Sequence, residues 1–536
     1  MDPMLILVLF IQGTMLIVVG LQLFCVWRAL RHALHMYQQH AYQNPSHKKW
    51  LAENQRLLLG RNRLLPMLFC LFSITASDPR LMGLSMAGSG LFIYYNRNVR
   101  AAKKPLVYTA RVKRLMATAA IITLPLFATA TYVWMAKGIS VESGVAAVAM
   151  CGWVLAQPWL VMLYAAINSP IERAINRRYV EEARRMVQGS RDLTVIGITG
   201  SYGKTSTKTY LEQLLAVQYH VYSTPGNFNT TLGVVRAVRE GLRPTHQVFL
   251  CEMGARHRGD IAEICDLVQP KMGILTAIGG QHLETFGSQK AITETKLELA
   301  RAVEAKGGQI FVNWGSEIAA AQTYTGALCR YGTVAGSDYQ ATDITVSAQG
   351  SAFTVTTPGG DSARFETRLL GDANVENITG AIAVAHSMGI VLNQLVPAVR
   401  GLKGAPHRLE LKQAGDLTLI DDAYNSNPQG ARNALQTLAR CAGSRVLVTP
   451  GLVELGAQEE PENRALGALA ASHADYVVVV GKKPGGFVAA GAMDAGLDGD
   501  KLHRAATIEA ALEHVRGLEM PDKIVLLLND LPDSYS

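Results

Sequence analysis

Apolar positions divide the chain into two unlike parts. In the first third, long runs with almost no charge cover residues 4–27, 115–135 and 145–167, and each could cross about 30 Å of hydrocarbon. Two shorter runs, residues 64–77 and 81–95, suit either two further spans or a re-entrant hairpin. We therefore predict a transmembrane domain over residues 1–170, with about five helices and the N-terminus outside.

Lysine and arginine concentrate beside these runs, at residues 28–63, 97–114 and 173–185. The positive-inside rule places such loops in the cytoplasm, which predicts a multi-pass protein of a bacterial-type inner (plasma) membrane with cytoplasmic catalytic domains. A cleaved signal peptide is the alternative for the first run, but that run lacks a basic start and a small-residue cleavage site. The net charge of +8 is then explained by membrane lipids as partners, and no nucleic acid is expected.

From residue 193 onward, short apolar strands alternate with amphipathic helices. Strands are predicted at residues 195–198, 248–251, 273–277 and 310–312, which indicates a parallel sheet covered by helices. Residues 331–370 are rich in Thr, Ser and Gly with period-two stretches and predict a β-rich insertion. Further strands at 417–420, 445–448, 476–480 and 524–528 predict a smaller Rossmann-like domain.

The predicted fold is therefore α/β, with N-terminal transmembrane helices, a P-loop-type parallel-sheet ATPase domain and a Rossmann-like C-terminal domain. A cytoplasmic linker helix over residues 171–192 leads into a central domain over 193–405, and the C-terminal domain covers 406–536. Seven cysteines form no C-x-x-C pair, which indicates a reducing compartment and no zinc site.

Residues 193–209 have the pattern of strand, tight loop and helix that cradles phosphate. Lys204 is expected on the β- and γ-phosphates of a nucleotide, and the Thr205 hydroxyl on Mg²⁺. The general signature G-x-x-x-x-G-K-[ST] is not met, because Ile198 occupies its first glycine position. The predicted nucleotide-binding residues of the loop are Gly200, Ser201, Gly203, Lys204, Thr205 and Ser206.

Other polar residues come directly after predicted strands. Glu252 should emerge beside Thr205 and could hold Mg²⁺, and His282 in a glycine-rich loop is either a metal ligand or a structural residue. By composition alone Lys296 is a solvated lysine. Arg408 suits either the γ-phosphate or a salt bridge at the domain boundary. The polar cluster DDAYNSNP at residues 421–428 suits an active-site loop or a plain turn.

Several motifs occur in the order that is typical of one family. They are TGSYGKT at residues 199–205, GNFN at 226–229, EMG at 252–254, HLETFGS at 282–288, GDANVEN at 371–377, HR at 407–408 and the DDAYNSNP cluster. Taken together, they resemble the Mur ligases, most closely the branch that adds D-alanyl-D-alanine to a UDP-muramoyl tripeptide. The resemblance covers about residue 171 to the C-terminus.

The resemblance implies ATP-dependent amide-bond formation, an acid–amino acid ligation. A carboxylate attacks the γ-phosphate to give an acyl phosphate, and an amine then displaces phosphate. The implied cofactors are ATP and Mg²⁺, with two ions. The implied catalytic residues are Lys204, His282, Lys296 and Arg408, and the metal ligands are Thr205, Glu252, His282 and Lys296.

Further roles are implied by the same motifs. Lys296 would be carbamylated to N6-carboxylysine, since a free ammonium would repel metal ions. Arg408 would contact the γ-phosphate, Asn374 and Asn377 the adenine, and Asp422 the ribose. The residues implied in substrate binding are Asn227, Asn229, Thr230, Tyr424 and Asn425.

Three departures from the family pattern limit this transfer. The uridine-binding N-terminal domain is missing, Ala373 stands where a histidine is common, and Gln429 where an acidic residue is common. We therefore predict a membrane-anchored ligase of cell wall biogenesis that joins a carboxylate acceptor to an amino acid or dipeptide amine at the cytoplasmic face. The acceptor would be an envelope precursor, for example a lipid-linked one, or a polymer. The alternatives are a ligase of the poly-γ-glutamate type and, less favoured, a nucleotide-sensing membrane protein.

Overall fold

The computed structural model describes residues 3–55, 105–137, 140–190, 192–279, 286–315, 328–347, 350–415, 417–423, 427–453, 455–481 and 483–529. The chain forms two compact units, Met1–Arg177 and Arg178–Ser536. The boundary between them falls inside one long helix. The predicted domain limits at residues 170, 192 and 405 stay predictions.

The described part of the first unit is helical. Its helices are α1 (Pro3–Gln39), α2 (Asn44–Glu53), α3 (Ala110–Lys137) and α4 (Val141–Gly189), the last of which continues into the second unit. Leu34, Leu115 and Tyr164 are buried in one apolar cluster of α1, α3 and α4. Arg114 of α3 forms an ion pair with Glu172 of α4, with Nε and Oε1 2.6 Å apart.

Helix α4 corrects one detail of the predicted organisation. The segment 171–188 is helical, as predicted, but it is continuous with the apolar run before it, through both Pro158 and Pro170. A proline removes one N–H from the helical ladder and its ring crowds the carbonyl four residues earlier, so other contacts have to hold the helix together through it.

The prediction of a multi-pass inner-membrane protein is wrong. Among the described residues, two helical stretches are long and apolar enough to cross a membrane, Ala110–Lys137 and Val148–Gly189, and not the five that were predicted. Length and composition are weak evidence even for these two, because the core helix of a soluble protein passes the same test. The predicted runs at residues 64–77 and 81–95 lie outside the described residues.

The second unit contains a nine-stranded sheet in the order β2-β3-β1-β4-β5-β6-β7-β8-β9. Strands β1 to β7 pair in parallel, which confirms the parallel sheet. Strands β7 to β9 are antiparallel and lie within residues 331–370, where a β-rich insertion was predicted. The strands are β1 (Thr194–Thr199), β2 (Val221–Ser223), β3 (Val248–Glu252), β4 (Met272–Leu275), β5 (Gln309–Asn313), β6 (Leu328–Gly332), β7 (Tyr339–Ser347), β8 (Gly350–Thr356) and β9 (Ser362–Thr367).

Helices cover this sheet and bury its apolar residues. They are α5 (Lys204–Leu215), α6 (Thr231–Gly241), α7 (Asp260–Val268), α8 (Gln289–Glu304), α9 (Asp372–Ser387) and α10 (Leu392–Arg400). Strand β1 lies between β3 and β4, with Ile198 opposite Glu252 and Thr199 opposite Leu275. The carboxyl ends of three strands therefore meet at one edge, and this is where the phosphate loop and Glu252 were predicted to lie together.

The C-terminal part forms a six-stranded sheet in the order β10-β11-β15-β12-β13-β14, antiparallel only between β10 and β11. Its strands are β10 (Glu410–Ala414), β11 (Leu417–Asp422), β12 (Ser444–Thr449), β13 (Tyr476–Val480), β14 (Leu502–Ala505) and β15 (Lys523–Leu528), and its helices are α11 (Pro428–Ala439), α12 (Glu459–His473), α13 (Pro484–Asp494) and α14 (Ile508–Gly517). The four predicted strands are confirmed. Strands β10 and β14 were missed because these edge strands are largely polar and have no apolar run.

The two sheets of the second unit are joined near helix α9. Arg440, just after α11, forms a bidentate ion pair with Asp372, with distances of 2.9 and 3.0 Å. Gly371 lies against Thr437 so closely that a Cβ would come within 2.5 Å of the Thr437 Oγ1. These contacts bring the start of α9 next to the C-terminal part.

Candidate active site

The loop between β1 and α5 has the geometry of a phosphate-binding loop. Helix α5 begins at Lys204, and its N-cap, Gly203, has the left-handed backbone conformation φ +79° and makes no side-chain cap. The first N–H groups of a helix have no intrahelical acceptor, and the helix dipole adds partial positive charge there. The start of α5 is therefore suited to bind an anion such as phosphate.

Two glycines of the loop are required by close contacts as well as by backbone conformation. A Cβ on Gly203 would lie 2.4 Å from Oδ1 of Asn377, which also accepts a hydrogen bond of 3.1 Å from Thr207. A Cβ on Gly200 would lie 1.9 Å from Oγ1 of Thr276. The loop is thus packed between β4 and α9 without room for larger residues.

We expect Gly203→Ala to weaken ADP binding at least tenfold. It should also lower the free energy of unfolding by about 1–3 kcal/mol more than a control substitution does. The matched control is Gly259→Ala. Gly259 is also a helix N-cap, of α7, with φ +90°, but a Cβ there meets nothing within 4 Å. Calorimetric ADP titration and chemical denaturation measure the two effects. Equal losses in both variants would show that backbone conformation alone, and not the contact with Asn377, requires Gly203.

Lys204 points its ammonium at the loop itself. Its Nζ donates to the carbonyl oxygens of Gly200 and Ser201 at 2.7 and 2.9 Å. Burial lowers the pKa of Lys204 to about 8, with Glu252 opposing this shift and Arg408 adding to it. The lysine is therefore mainly cationic at neutral pH, and it provides a partly buried positive charge at the anion site. Ser201 is held by the segment that follows β4, because its amide donates to the Ala277 carbonyl and its hydroxyl to the Gly279 carbonyl.

Glu252 is the centre of a polar cluster at the ends of β1 and β3. Its Oε1 accepts hydrogen bonds from the Thr205 hydroxyl at 3.2 Å and from the Asn229 amide at 3.0 Å. Its Oε2 is buried and accepts no hydrogen bond within the described residues, although the Lys208 ammonium lies 3.0 Å away as an ion pair. A buried carboxylate oxygen with free lone pairs next to a hydroxyl fits a hard divalent cation such as Mg²⁺.

Lys296 is buried. The prediction of a solvated lysine, which rested on composition alone, was therefore wrong. It is only 4% exposed, since α8 turns its 292, 296, 299 and 303 positions toward the sheet. Burial lowers the pKa of Lys296 to about 7, and the charge of Lys204 lowers it further, against Glu298 and Asp260. No hydrogen-bond acceptor contacts its ammonium among the described residues. Such a lysine is largely neutral and nucleophilic near pH 7.5.

Asn374 and Asn377 lie at the start of α9 and are both buried. Asn374 accepts a hydrogen bond of 2.6 Å from the Tyr210 hydroxyl and donates to the Leu370 carbonyl at 2.8 Å. Its amide thus joins α9 to α5 within the protein, whereas Asn377 lies directly against the phosphate loop. A role for either residue at adenine stays a prediction.

Arg408 sits in a strained turn between the two sheets. Its neighbours His407 and Leu409 have φ of +58° and +48°, values that residues other than glycine rarely adopt. Asp422 accepts a hydrogen bond of 3.2 Å from the Leu409 amide, and Asp421 binds His407 at 2.8 Å. Burial raises the pKa of Asp422 to about 6, opposed by the positive charge of Arg408.

His407, Glu410 and Asp421 are close enough together to bind a metal ion. The Lys412 ammonium already fills this position, 2.9 Å from Glu410 and 2.7 Å from Asp421. We therefore interpret the group as an ion-pair network that holds the turn of Arg408.

The predicted substrate-facing residues are partly described. Asn229 bonds Glu252, and Thr230 is the N-cap of α6, where its hydroxyl accepts from the Gly233 amide at 3.3 Å. Asn227 lies in the same loop. The predicted site residues His282, Tyr424 and Asn425 lie outside the described residues.

Sequence reasoning missed Lys208. This lysine is one turn after Lys204 on α5, is 3% exposed, and bonds the carbonyls of Thr224 and Gly226, both at 2.7 Å. On an amphipathic helix a lysine is ordinarily solvated, so its pairing with Glu252 could be recognised only from the packing of α5 against β3.

Comparison with known proteins agrees with this geometry. The model of the Mur ligase middle domain matches residues 198–385, and that of the Mur ligase glutamate ligase domain matches residues 407–528, so that together they cover more than half of the chain. The chain belongs to the Mur ligase family. The first match begins at Ile198, where β1 enters the phosphate loop, and the second begins at His407, next to Arg408.

Individual Mur ligases are similar over the same region. The UDP-N-acetylmuramoyl-tripeptide–D-alanyl-D-alanine ligase of Bacillus subtilis is 34% identical over 303 residues, 56% of this chain and 65% of that enzyme. The enzyme of the same name from Mycobacterium leprae is 30% identical over 64% of this chain and 72% of its own length. The crystal structure of MurF from Acinetobacter baumannii aligns with a TM-score of 0.60 and 30% identity, covering 67% of this chain and 78% of that one.

These relatives confirm the resemblance to Mur ligases, although the match covers only part of their length. The chain spans 65% of the length of the Bacillus subtilis enzyme that it matches. Mur ligases use ATP and Mg²⁺, so the anion site at α5 and the carboxylate of Glu252 fit the family's cofactors.

Proposed function

We propose that this Mur ligase is an ATP-dependent carbon–nitrogen ligase that forms a peptide-type bond in cell-wall synthesis. The observation that carries the proposal is the cluster around Glu252. One buried carboxylate joins the phosphate-loop residue Thr205 to Asn229 of the loop before α6, with distances of 3.2 and 3.0 Å. A nucleotide at α5 and a substrate at residues 224–230 would therefore meet at one point.

The central part, residues 193–405, would bind ATP, and the C-terminal part, 406–536, would bring in the second substrate. The start of α5 with Lys204 would bind the β- and γ-phosphates, and Arg408 would approach the γ-phosphate, near enough to Lys204 to lower its pKa. Thr205 and Glu252 would hold Mg²⁺, which neutralises charge on the transferring phosphoryl group. His282 and Lys296 would hold a second ion, and Asn374, Asn377 and Asp422 would contact the adenosine.

The proposed reaction has two steps. The acceptor carboxylate attacks the γ-phosphorus of ATP, forming an acyl phosphate and releasing ADP. The amine then adds to the acyl carbon, phosphate leaves with the electrons of the carbon–oxygen bond that breaks, and the nitrogen loses one proton to give the amide. Lys204 and Arg408 would stabilise the charge that develops on the phosphoryl oxygens.

Trapping the acyl phosphate tests this proposal directly. With ATP, Mg²⁺ and a suitable carboxylate, we expect ADP release to continue when hydroxylamine replaces the amine, with an acyl hydroxamate as product. Candidate acceptors are the UDP-muramoyl tripeptide, lipid-linked envelope precursors and polymer ends, and candidate amines are D-alanyl-D-alanine and glutamate. Product mass identifies the pair. ADP release without any carboxylate, and no hydroxamate with any acceptor, would contradict a ligase.

Among the candidate amines, D-alanyl-D-alanine has the most direct support, because the relatives described above are named for ligation of this dipeptide. Glutamate is the informative second amine, since the matched C-terminal family model is described as a glutamate ligase domain. Turnover with glutamate and not with the dipeptide would favour the poly-γ-glutamate type of ligase.

A further inference from the structure

We infer that Lys208 is a positioning residue that fixes the loop of residues 224–230 against Glu252 and thereby sets the affinity for the carboxylate acceptor. The inference rests on the proposed function, because it assigns a role within the same site. Lys208 itself would touch neither nucleotide nor acceptor. It would act through the backbone of the loop.

The contacts of Lys208 are directed at this loop. From the buried face of α5, its ammonium donates to the carbonyls of Thr224 and Gly226, both at 2.7 Å. The same ammonium lies 3.0 Å from Oε2 of Glu252. One buried cation therefore holds together the phosphate-loop helix, the end of β3 and the beginning of the loop.

The far end of the loop is held to the same carboxylate. Asn229 donates from its side chain to Oε1 of Glu252 at 3.0 Å, and its carbonyl accepts from the Gly254 amide at 2.7 Å. A Cβ on Gly254 would lie 2.8 Å from the Asn229 side chain, so this approach requires glycine. Both ends of the loop are thus fastened around Glu252, Lys208 holding one and Asn229 the other.

A buried lysine is a costly way to hold a loop. Moving an ammonium from water into the interior carries a penalty of several kcal/mol, and only good ion pairing and hydrogen bonding offset it. Lys208 is 3% exposed and Glu252 is 1% exposed. The ion pair with Glu252 and the two carbonyl contacts of the loop offset this penalty for Lys208.

The loop contains the residues that the family motif places at the acceptor, Asn227, Asn229 and Thr230. Removing the Lys208 ammonium would leave the Thr224 and Gly226 carbonyls without their donor and free the first half of the loop. Acceptor binding would then have to order this segment, which weakens it. Nucleotide binding at the start of α5 would change little, because Lys204 and Thr205 keep their places.

The test compares Lys208→Met with Lys523→Met. Lys523 is also buried, and its ammonium donates to the carbonyls of Val515, Arg516 and Leu518 at 3.3, 2.9 and 3.0 Å at the end of α14. Both variants lose a buried lysine that binds carbonyls, so both should be less stable. We expect Lys208→Met alone to raise the KM for the acceptor about tenfold or more, with kcat and ADP affinity changed less than about twofold.

Hydrogen exchange of the ligand-free protein gives a readout that does not depend on activity. Lys208→Met should speed exchange in residues 224–230, and Lys523→Met should not. If Lys208→Met does not fold, Lys208→Arg keeps the buried charge and should still raise the acceptor KM, because a guanidinium cannot reproduce the compact ammonium contacts.

Two results separate the inference from the proposed function. If the wild type shows no carboxylate-dependent turnover with any acceptor, the proposed function is wrong. Independently of activity, the positioning role is wrong if hydrogen exchange in residues 224–230 is the same in Lys208→Met as in the wild type. If the enzyme is active and Lys208→Met shows only the loss of stability seen in Lys523→Met, with an unchanged acceptor KM, the inference is wrong.

Discussion

Replacing Lys204 with methionine is expected to lower carboxylate-dependent ADP release at least a hundredfold, which corresponds to about 2.7 kcal/mol of transition-state stabilisation. The ammonium lies, partly buried, at the start of α5, where it adds a full positive charge to the partial charges of the helix N–H groups. Methionine keeps the volume and removes the charge. Steady-state kinetics with coupled detection of ADP measures the effect.

The control is Lys290→Met, at an exposed lysine near the start of α8 that is 85% exposed. It should leave the rate within about twofold, because an exposed lysine contributes little to a distant site. If Lys204→Met kept more than a tenth of the wild-type rate, Lys204 would not carry the phosphate charge.

The pH dependence gives an independent check on Lys204. Its pKa of about 8 means that the ammonium is present below pH 8 and is lost above it. ADP affinity of the wild type should therefore fall as the pH rises through 8, whereas Lys204→Met should show a flat profile over this range.

Replacing Lys296 with alanine is expected to lower the ligation rate at least a hundredfold. Short carboxylic acids such as acetate or propionate should restore part of that rate. We propose that Lys296 reacts with CO₂ to form a carbamate that holds the second metal ion. The reaction needs the neutral amine. A pKa lowered to about 7 leaves a large share of Lys296 neutral at pH 7.5, whereas an ordinary lysine is almost fully protonated there.

The measurements are intact mass under bicarbonate at neutral pH, and ligase rate with and without bicarbonate. The wild type should lose activity when CO₂ is removed and recover it when bicarbonate is added. The exposed Lys290→Met variant should respond as the wild type does. A wild type that is indifferent to bicarbonate, together with a Lys296→Ala variant that no carboxylic acid rescues, would rule out the carbamate.

The predictable part of this protein lies in its strands and in the residues directly after them. The eight strands predicted from residue 193 onward are confirmed, because short β-branched apolar runs bounded by turns have few other solutions. Parallel pairing then places the residue after each strand at the same edge of the sheet. That rule put Glu252 beside the phosphate loop from the sequence alone, and β1 and β3 do pair in this way.

The environment of individual polar residues was not predictable in the same way. Lys208 and Lys296 lie on helices whose outer faces also carry charged residues, and nothing in their spacing distinguishes them from solvated lysines. Asn374 was assigned to adenine by motif, yet its amide joins α9 to Tyr210 and Leu370. Burial and partners depend on which helix face meets the sheet, and this is settled by residues far away in the sequence.

In the first third of the chain, the prediction from apolar runs was itself wrong. Apolar runs were interpreted as five membrane spans, since length and hydropathy are all that a sequence offers there. Helices α1, α3 and α4 bury part of the same runs against one another, as Cys25, Phe127 and Met150 show. An apolar run does not by itself say whether lipid or protein will cover it.

By itself, the sequence determined eight of the strands from residue 193 onward, the phosphate loop, and the family to which its motifs belong, because these depend on local periodicity and on residues close together in the chain. Only the tertiary structure decided that Lys208 and Asn229 meet at Glu252, that Lys296 is buried beside Lys204, and that Arg408 stands in a strained turn held by Asp421 and Asp422. Those features are contacts between distant segments, and their energies depend on desolvation and distance, which a linear pattern does not contain.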